Sequence, residues 1–185
     1  MKRWTKWAGA IAVALAAAAL FVPRAATSAL PVGTMAPDFT TRGALGGKPF
    51  TLTLSHQLKK GPVVLYFFPA AFTPGCTAEA REFAERSDEF KKAGATIIGM
   101  SADPLETLAR FSVQECRSKF PVASAGPGII TAYDVGLPLR MGYTNRTSYV
   151  IAPTGRIIYV HSALDYREHV KNTLAAVQAL APAKR

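Results

Sequence analysis

Two cysteines are all this 185-residue chain has, and they do not stand as Cys-x-x-Cys: three residues after Cys76 comes Glu79. A dithiol redox centre of the Cys-x-x-Cys kind is therefore excluded. Histidine is as scarce, and His56, His161 and His169 are too scattered for metal-ligand spacing, so no zinc or copper site is expected. Acidic residues number 12 against 22 basic ones. The basic ones in the body of the chain, among them Lys59, Lys60, Arg81, Arg86, Lys91, Lys92 and the Lys184-Arg185 tail, have acids between them and no interleaved aromatics. That pattern reads as a solvated surface and not as a nucleic-acid site. Internal repeats are absent, and the length suits one domain with a sizeable core.

The long apolar run is confined to the start. Lys2, Arg3 and Lys6 precede an uncharged stretch from Ala8 to Val22, then Pro23 and the small residues Ala26-Thr27-Ser28-Ala29. This is the layout of a secretory signal peptide over residues 1–29, with cleavage after Ser28 or Ala29 and a single domain over 30–185. The alternative is an uncleaved anchor, but about 15 apolar residues fall short of the roughly 20 that span a bilayer. Loss of Lys2, Arg3, Lys6 and Arg24 takes the formal charge from +10 to +6, with 18 basic and 12 acidic residues left. The expected location is periplasmic or secreted, with no membrane attachment after cleavage. In that oxidising setting two cysteines can serve as a redox pair or close a disulfide.

What is present along 30–185 is an alternation of strand and helix signals. Phe50-Thr51-Leu52-Thr53-Leu54 alternates as an edge strand or hairpin does, and Pro62–Phe68 is continuously apolar as a strand buried on both faces must be. Thr73 and Pro74 then open a helix as N-cap and first helical residue, with Ala80, Phe83, Ala84, Ser87 and Phe90 on one stripe and Gly94 as its stop. Ala95–Met100 has strand composition; Asp103-Pro104-Leu105-Glu106 starts a second helix that carries Leu105, Leu108, Ala109, Ser112 and Cys116 on its inner face and ends by Phe120-Pro121. Thr147–Ala152 and Arg156–Val160 flank a Pro153-Thr154-Gly155 turn as a β-hairpin. Asp165–Glu168 reads as a capping box for a last helix with Val170, Leu174 and Val177 on one face. The order predicts an α/β thioredoxin-like fold, a central mixed β-sheet flanked by helices, with an N-terminal β-hairpin extension.

Cys76 falls in the first turn of a helix that follows a buried strand. A thiolate is the nucleophile, and a free thiol ionises only near a pKa of about 8.5, so something must favour the anion. Unpaired N–H groups and the positive end of the helix dipole do that. Thr73 is spaced to cap the helix and aim its hydroxyl toward the sulfur, while Pro69 and Pro74 stiffen the loop and keep water out.

Pro69-x-x-x-Thr73-x-x-Cys76 resembles the peroxiredoxin active-site motif, and Tyr66-Phe67-Phe68-Pro69…Thr73-Pro74-Gly75-Cys76-Thr77-x-Glu79 resembles its Q-type, bacterioferritin-comigratory branch. Ala36-Pro37-Asp38-Phe39, Tyr133-Asp134-Val135 and Arg146–Ile151 extend the likeness from about Val32 to about Leu180. The resemblance implies that Cys76 attacks the peroxide O–O bond, that Thr73 and backbone amides hold the peroxide, and that Arg146 stabilises the thiolate and the leaving oxygen. Neither a metal nor an organic cofactor is implied. Asn145-Arg146-Thr147 fits a glycosylation sequon, but a glycan would obstruct that strand.

Attack leaves a sulfenic acid that a second thiol can capture as a disulfide. Many relatives in this branch carry that thiol five residues on, where this chain has Arg81; others carry it on the next helix, which points to Cys116 as the resolving residue. A one-cysteine peroxidase with a packed Cys116 stays open, as does a non-catalytic thioredoxin-fold protein with a structural staple. The disulfide would be reduced by a thioredoxin-like or other thiol protein, and a monomer or weak dimer is expected.

Overall fold

A computed structural model of the chain describes residues 29–138 and 140–180. The proposed signal peptide and the Lys184-Arg185 tail lie outside them, apart from Ala29. The chain first makes a hairpin of β1 (Thr40–Leu45) and β2 (Lys48–Thr53), then a short helix α1 (Leu54–Leu58) and the strand β3 (Val63–Phe67). Next come α2 (Pro74–Glu85), α3 (Ser87–Lys92), β4 (Thr96–Ser101) and α4 (Leu105–Gln114). The remainder is β5 (Val122–Ser124), α5 (Pro127–Ala132), β6 (Gly136–Leu137), β7 (Arg140–Thr144), β8 (Thr147–Ile151), β9 (Ile157–Ser162) and α6 (His169–Leu180).

The main sheet has seven strands in the order β2-β1-β5-β4-β3-β8-β9, and β6 and β7 pair separately. β3 is parallel to β4 and antiparallel to β8, which places it at the centre. Its five residues are all buried, and they divide by parity. Val64 and Tyr66, continued by Phe68, face a core shared with Phe83, Phe90, Leu108, Phe111, Val170 and Leu174, which come from α2, α3, α4 and α6. Val63, Leu65 and Phe67 face the opposite core with Leu54, Ile130 and Tyr133. This is the expected mixed sheet covered on both sides, with the β1–β2 hairpin as its N-terminal extension and β2 at the edge.

Four local expectations change. The helix expected from Thr73 to Gly94 is two helices broken at Arg86, where the Ser87 hydroxyl donates to the Ala84 carbonyl at 2.8 Å and competes with the helical ladder. Asp103 does not cap α4, whose N-cap is Pro104; its carboxylate instead accepts from the Ala71 N–H at 2.7 Å and the Ser101 hydroxyl at 2.6 Å. α4 ends at Gln114, so Cys116 lies beyond it, in a turn whose next residues, Arg117 and Ser118, have φ of 49° and 56°. The last helix begins at His169, and Asp165 is tied to Arg167 by its carboxylate.

Candidate active site

The loop between β3 and α2 is held from two sides. The Thr144 hydroxyl donates to the Phe68 carbonyl at 2.7 Å where the chain leaves β3, and Asp103 holds the Ala71 amide. Pro69 sits half-buried at that exit, and Phe72 takes a left-handed φ of 64° with its ring edge-on to Phe111 at 5.2 Å. A non-glycine residue in this conformation is costly and is kept only where surrounding contacts enforce it. α2 then opens at Pro74 with Thr73 as N-cap residue, so Cys76 is the third residue of the helix. Pro74 has no N–H, and the amides of Gly75 and Cys76 are in the first turn, where no helical carbonyl is available to them.

Cys76 is only 1% exposed. The Arg146 Nη2 donates to its Sγ at 3.4 Å. Arg146 immediately precedes β8, and that strand's antiparallel pairing with β3 sets Thr147 opposite Phe67 and so brings the arginine to the helix start. A Cβ on residue 75 would lie 3.3 Å from Nη2, which makes Gly75 the residue that lets the guanidinium rest on the helix terminus. The other guanidinium nitrogens are also engaged: Nε donates to the Leu164 carbonyl at 2.9 Å and Nη1 to the Glu79 Oε2.

Glu79, one turn along α2 from Cys76, is fully buried. Burial pushes its carboxyl up to about 8 against the pull of Arg146. Its Oε1 has no hydrogen-bond partner, and the His169 Nδ1 stands 3.7 Å away. His169 is buried as well, bonded through Nδ1 to the Ser148 hydroxyl at 2.8 Å and through Nε2 to the Ala163 carbonyl at 2.9 Å. Burial holds that imidazole down at about 4. Its ring meets His161 edge-on at 4.5 Å. Sequence reasoning weighed both histidines as metal ligands and rejected them by spacing, and only the folded chain carries α6 beneath α2. Glu79 was visible only as a motif position. Among the described residues, no group of three or more His, Cys, Asp or Glu side chains could hold a metal ion.

Thr73 is at the predicted position, yet its hydroxyl does not cap α2. It is exposed and donates to the Ala70 carbonyl at 3.0 Å. Cys116 is fully buried in the same core as Cys76, on the same face of the sheet. Burial drives its thiol far above its ordinary range. The residues on either side of it are tied to α2: Arg81 Nε pairs with Glu115 Oε2 at 2.7 Å, and Arg117 with Glu85 at 3.1 Å. Both atoms that would make the sequon work, on Asn145 and Thr147, belong to buried residues, and the Thr147 hydroxyl donates to Asn145 Oδ1 at 2.7 Å.

Residues 32–160 match the model of the AhpC/TSA family. The chloroplastic peroxiredoxin Q of Oryza sativa subsp. japonica is 32% identical over 149 residues, covering 80% of this chain and 67% of that protein. The crystal structure of peroxidoxin BcpB from Mycobacterium tuberculosis superimposes with a TM-score of 0.72 at 32% identity, over 83% of this chain and 99% of that one. A Xanthomonas campestris bacterioferritin comigratory protein, solved to study its alkyl peroxide reduction activity, has a TM-score of 0.67 at 29% identity, over 76% and 92% of the two chains.

Proposed function

The chain belongs to the AhpC/TSA family, in its Q-type peroxiredoxin branch, and is a thiol-dependent peroxidase; from that premise we propose that Cys76 is the sulfur that attacks the peroxide. The observation that carries this reading is the 3.4 Å contact from Arg146 to Cys76 Sγ at the first turn of α2. The guanidinium and the first-turn amides of Gly75 and Cys76 together favour negative charge on sulfur, and then on the leaving oxygen as the O–O bond breaks. Thr73 uses its hydroxyl proton on Ala70, which leaves its oxygen lone pairs to accept from a peroxide O–H. Pro69 fixes the exit of the loop. Attack forms the S–O bond, breaks the O–O bond and leaves Cys76 as a sulfenic acid.

Hydrogen peroxide and alkyl hydroperoxides are both substrates in this reading, the second supported by the activity ascribed to the Xanthomonas relative. Cys116 then captures the sulfenic acid as an intramolecular disulfide, and an external thioredoxin-like thiol protein reduces it. Its place on the same face of the sheet as Cys76 supports this. Its burial requires the segment around it to open first, because burial keeps the thiol neutral and a neutral thiol is a poor nucleophile. The same burial supports a second reading, in which Cys116 is a packed core residue and an external thiol resolves Cys76 directly. Export by residues 1–29 completes the proposal and rests on the Lys2-Arg3-Lys6 start and the apolar run behind it.

Reduced protein mixed with one equivalent of hydrogen peroxide tests the first step. In Cys116→Ser, rapid loss of one thiol and a mass gain of one oxygen are expected, and in the parent protein rapid thiol loss abolished by Cys76→Ser; no fast reaction at Cys76 overturns it. Cys116→Ser separates the two resolution schemes. Loss of the disulfide and faster over-oxidation support the resolving role, and unchanged turnover with unchanged over-oxidation supports the packed one.

A further inference from the structure

Around Cys76 the protein buries two acids against one permanent cation. Arg146 gives Nη2 to the sulfur and Nη1 to Glu79, and its Nε is taken by the Leu164 carbonyl. Among the described residues no second cation faces the carboxyl. His169, the nearest group on α6, carries a proton on Nε2, because the Ala163 carbonyl that Nε2 meets can only accept; burial holds the imidazole down at about 4, so near neutral pH the ring is neutral and Nδ1 accepts from the Ser148 hydroxyl. From α2 itself Glu82 adds negative potential, and from β3 the phenol of Tyr66 is held neutral by burial. Behind His169 stand His161 on β9 and Asp165 in the loop before α6.

Charge balance decides the rest. A thiolate and a carboxylate sharing one guanidinium would leave a net negative charge in a site closed to water, which costs far more there than in solvent. One ionised acid and one neutral acid leave the site neutral. The carboxyl also has the place for a proton, since Oε1 is fully buried without a hydrogen-bond partner while Oε2 faces Arg146.

We propose that Glu79 holds a proton whenever Cys76 is a thiolate and gives it up when the sulfur is oxidised, so that the buried group stays neutral through the reaction. This rests on the reading of Cys76 as the attacking sulfur. In the step itself the thiolate displaces the leaving oxygen: the S–O bond forms, the O–O bond breaks, sulfur is oxidised by two electrons and the peroxide is reduced. The hydroxyl hydrogen of the peroxide stays on the sulfenic oxygen. The leaving oxygen takes up one proton and Glu79 releases one. Arg146 then pairs with the Glu79 carboxylate alone, and no net proton is drawn from the bulk.

Infrared difference spectroscopy of the full chain at pH 9, above the value of about 8 that burial gives the Glu79 carboxyl against the pull of Arg146, tests this. Reduced protein should show the carbonyl band of a protonated carboxylic acid, absent from Glu79→Gln and from Cys76→Ser, whose neutral hydroxyl frees Arg146 to pair with an ionised Glu79. If Glu79→Gln does not fold, Cys76→Ser carries the assignment. Alkylation of Cys76 with iodoacetamide, confirmed as one addition by intact mass, should abolish the band, and so should one equivalent of hydrogen peroxide. A reduced protein without the band, or a band that survives alkylation, overturns the proposal. A band lost on alkylation in a protein that peroxide does not oxidise would sustain the proton assignment and sink the peroxidatic role of Cys76.

Discussion

Arg146 and Cys76 are 70 residues apart in the chain and 3.4 Å apart in the fold. The three nitrogens of one guanidinium serve the sulfur, the Glu79 carboxyl and the Leu164 carbonyl at once. Lysine cannot reproduce that planar fork. Arg146→Lys and Arg146→Gln are both expected to slow oxidation of Cys76 by about 100- to 1,000-fold, the usual cost of removing one preorganised charge-stabilising donor. Stopped-flow peroxide consumption checks this, with circular dichroism confirming the fold.

The pairs that flank Cys116 supply a second expectation. Arg81–Glu115 and Arg117–Glu85 hold the Cys116 turn on α2, and such partly exposed pairs contribute about 0–1 kcal/mol each. If Cys116 must leave the core to reach Cys76, Glu115→Gln and raised salt should each speed disulfide formation, by up to about fivefold. Rapid-quench mass spectrometry reads this directly; a slower or unchanged rate would disconnect these pairs from resolution.

Tyr66 and Gly99 define a tight place in the core. The Tyr66 hydroxyl is buried without a hydrogen-bond partner, and a Cβ on residue 99 would stand 2.8 Å from it and 2.9 Å from Val122 Cγ1. Gly99→Ala should therefore cost about 1–3 kcal/mol by overpacking. Tyr66→Phe removes the unsatisfied polar atom and should be neutral or stabilising by up to about 1 kcal/mol. Urea unfolding of both variants against the parent is the measurement.

Stability against pH separates Glu79 from His169. The Glu79 carboxyl is raised to about 8 in the folded state from an unfolded value of 4.5, so folding binds a proton between those values and stability falls as pH rises through them. The His169 imidazole is lowered to about 4 from 6.5, so its contribution is complete above 6.5 and is lost as pH falls toward 4. The two oppose each other between 4.5 and 6.5. Between pH 6.5 and 8 the parent should lose stability relative to Glu79→Gln with a slope of at most about 1.4 kcal/mol per pH unit, the other titrating groups being common to both.

Much of this molecule was legible where local pattern and tertiary position agree. The apolar run of β3 meets both cores, the β8–β9 hairpin forms around Pro153-Thr154-Gly155, and Pro74 starts the helix that carries Cys76. Thr73 holds the expected N-cap position but spends its hydroxyl on the Ala70 carbonyl, and the cap assignments for Asp103 and Asp165 failed because each carboxylate had a competing partner, the Ala71 amide and Arg167. β5 pairs through only three residues and has no run long enough to announce itself. Cys116 was taken for a helical residue because its spacing fits the stripe, although the chain leaves the helix two residues earlier. The Glu79–His169 approach joins α2 to α6 across 90 positions, and no local signal encodes it.

Because the arginine comes from beside β8 and the sulfur from the start of α2, neither β3 with its helix nor the C-terminal hairpin alone contains the pair. An unfolded or partly synthesised chain carries only an ordinary thiol, with the short-range motif intact but no cation beside it. On the proposed role of Cys76, its sensitivity to peroxide arises only when the start of α2 meets the residue beside β8, and the rate of thiol oxidation reports on that contact.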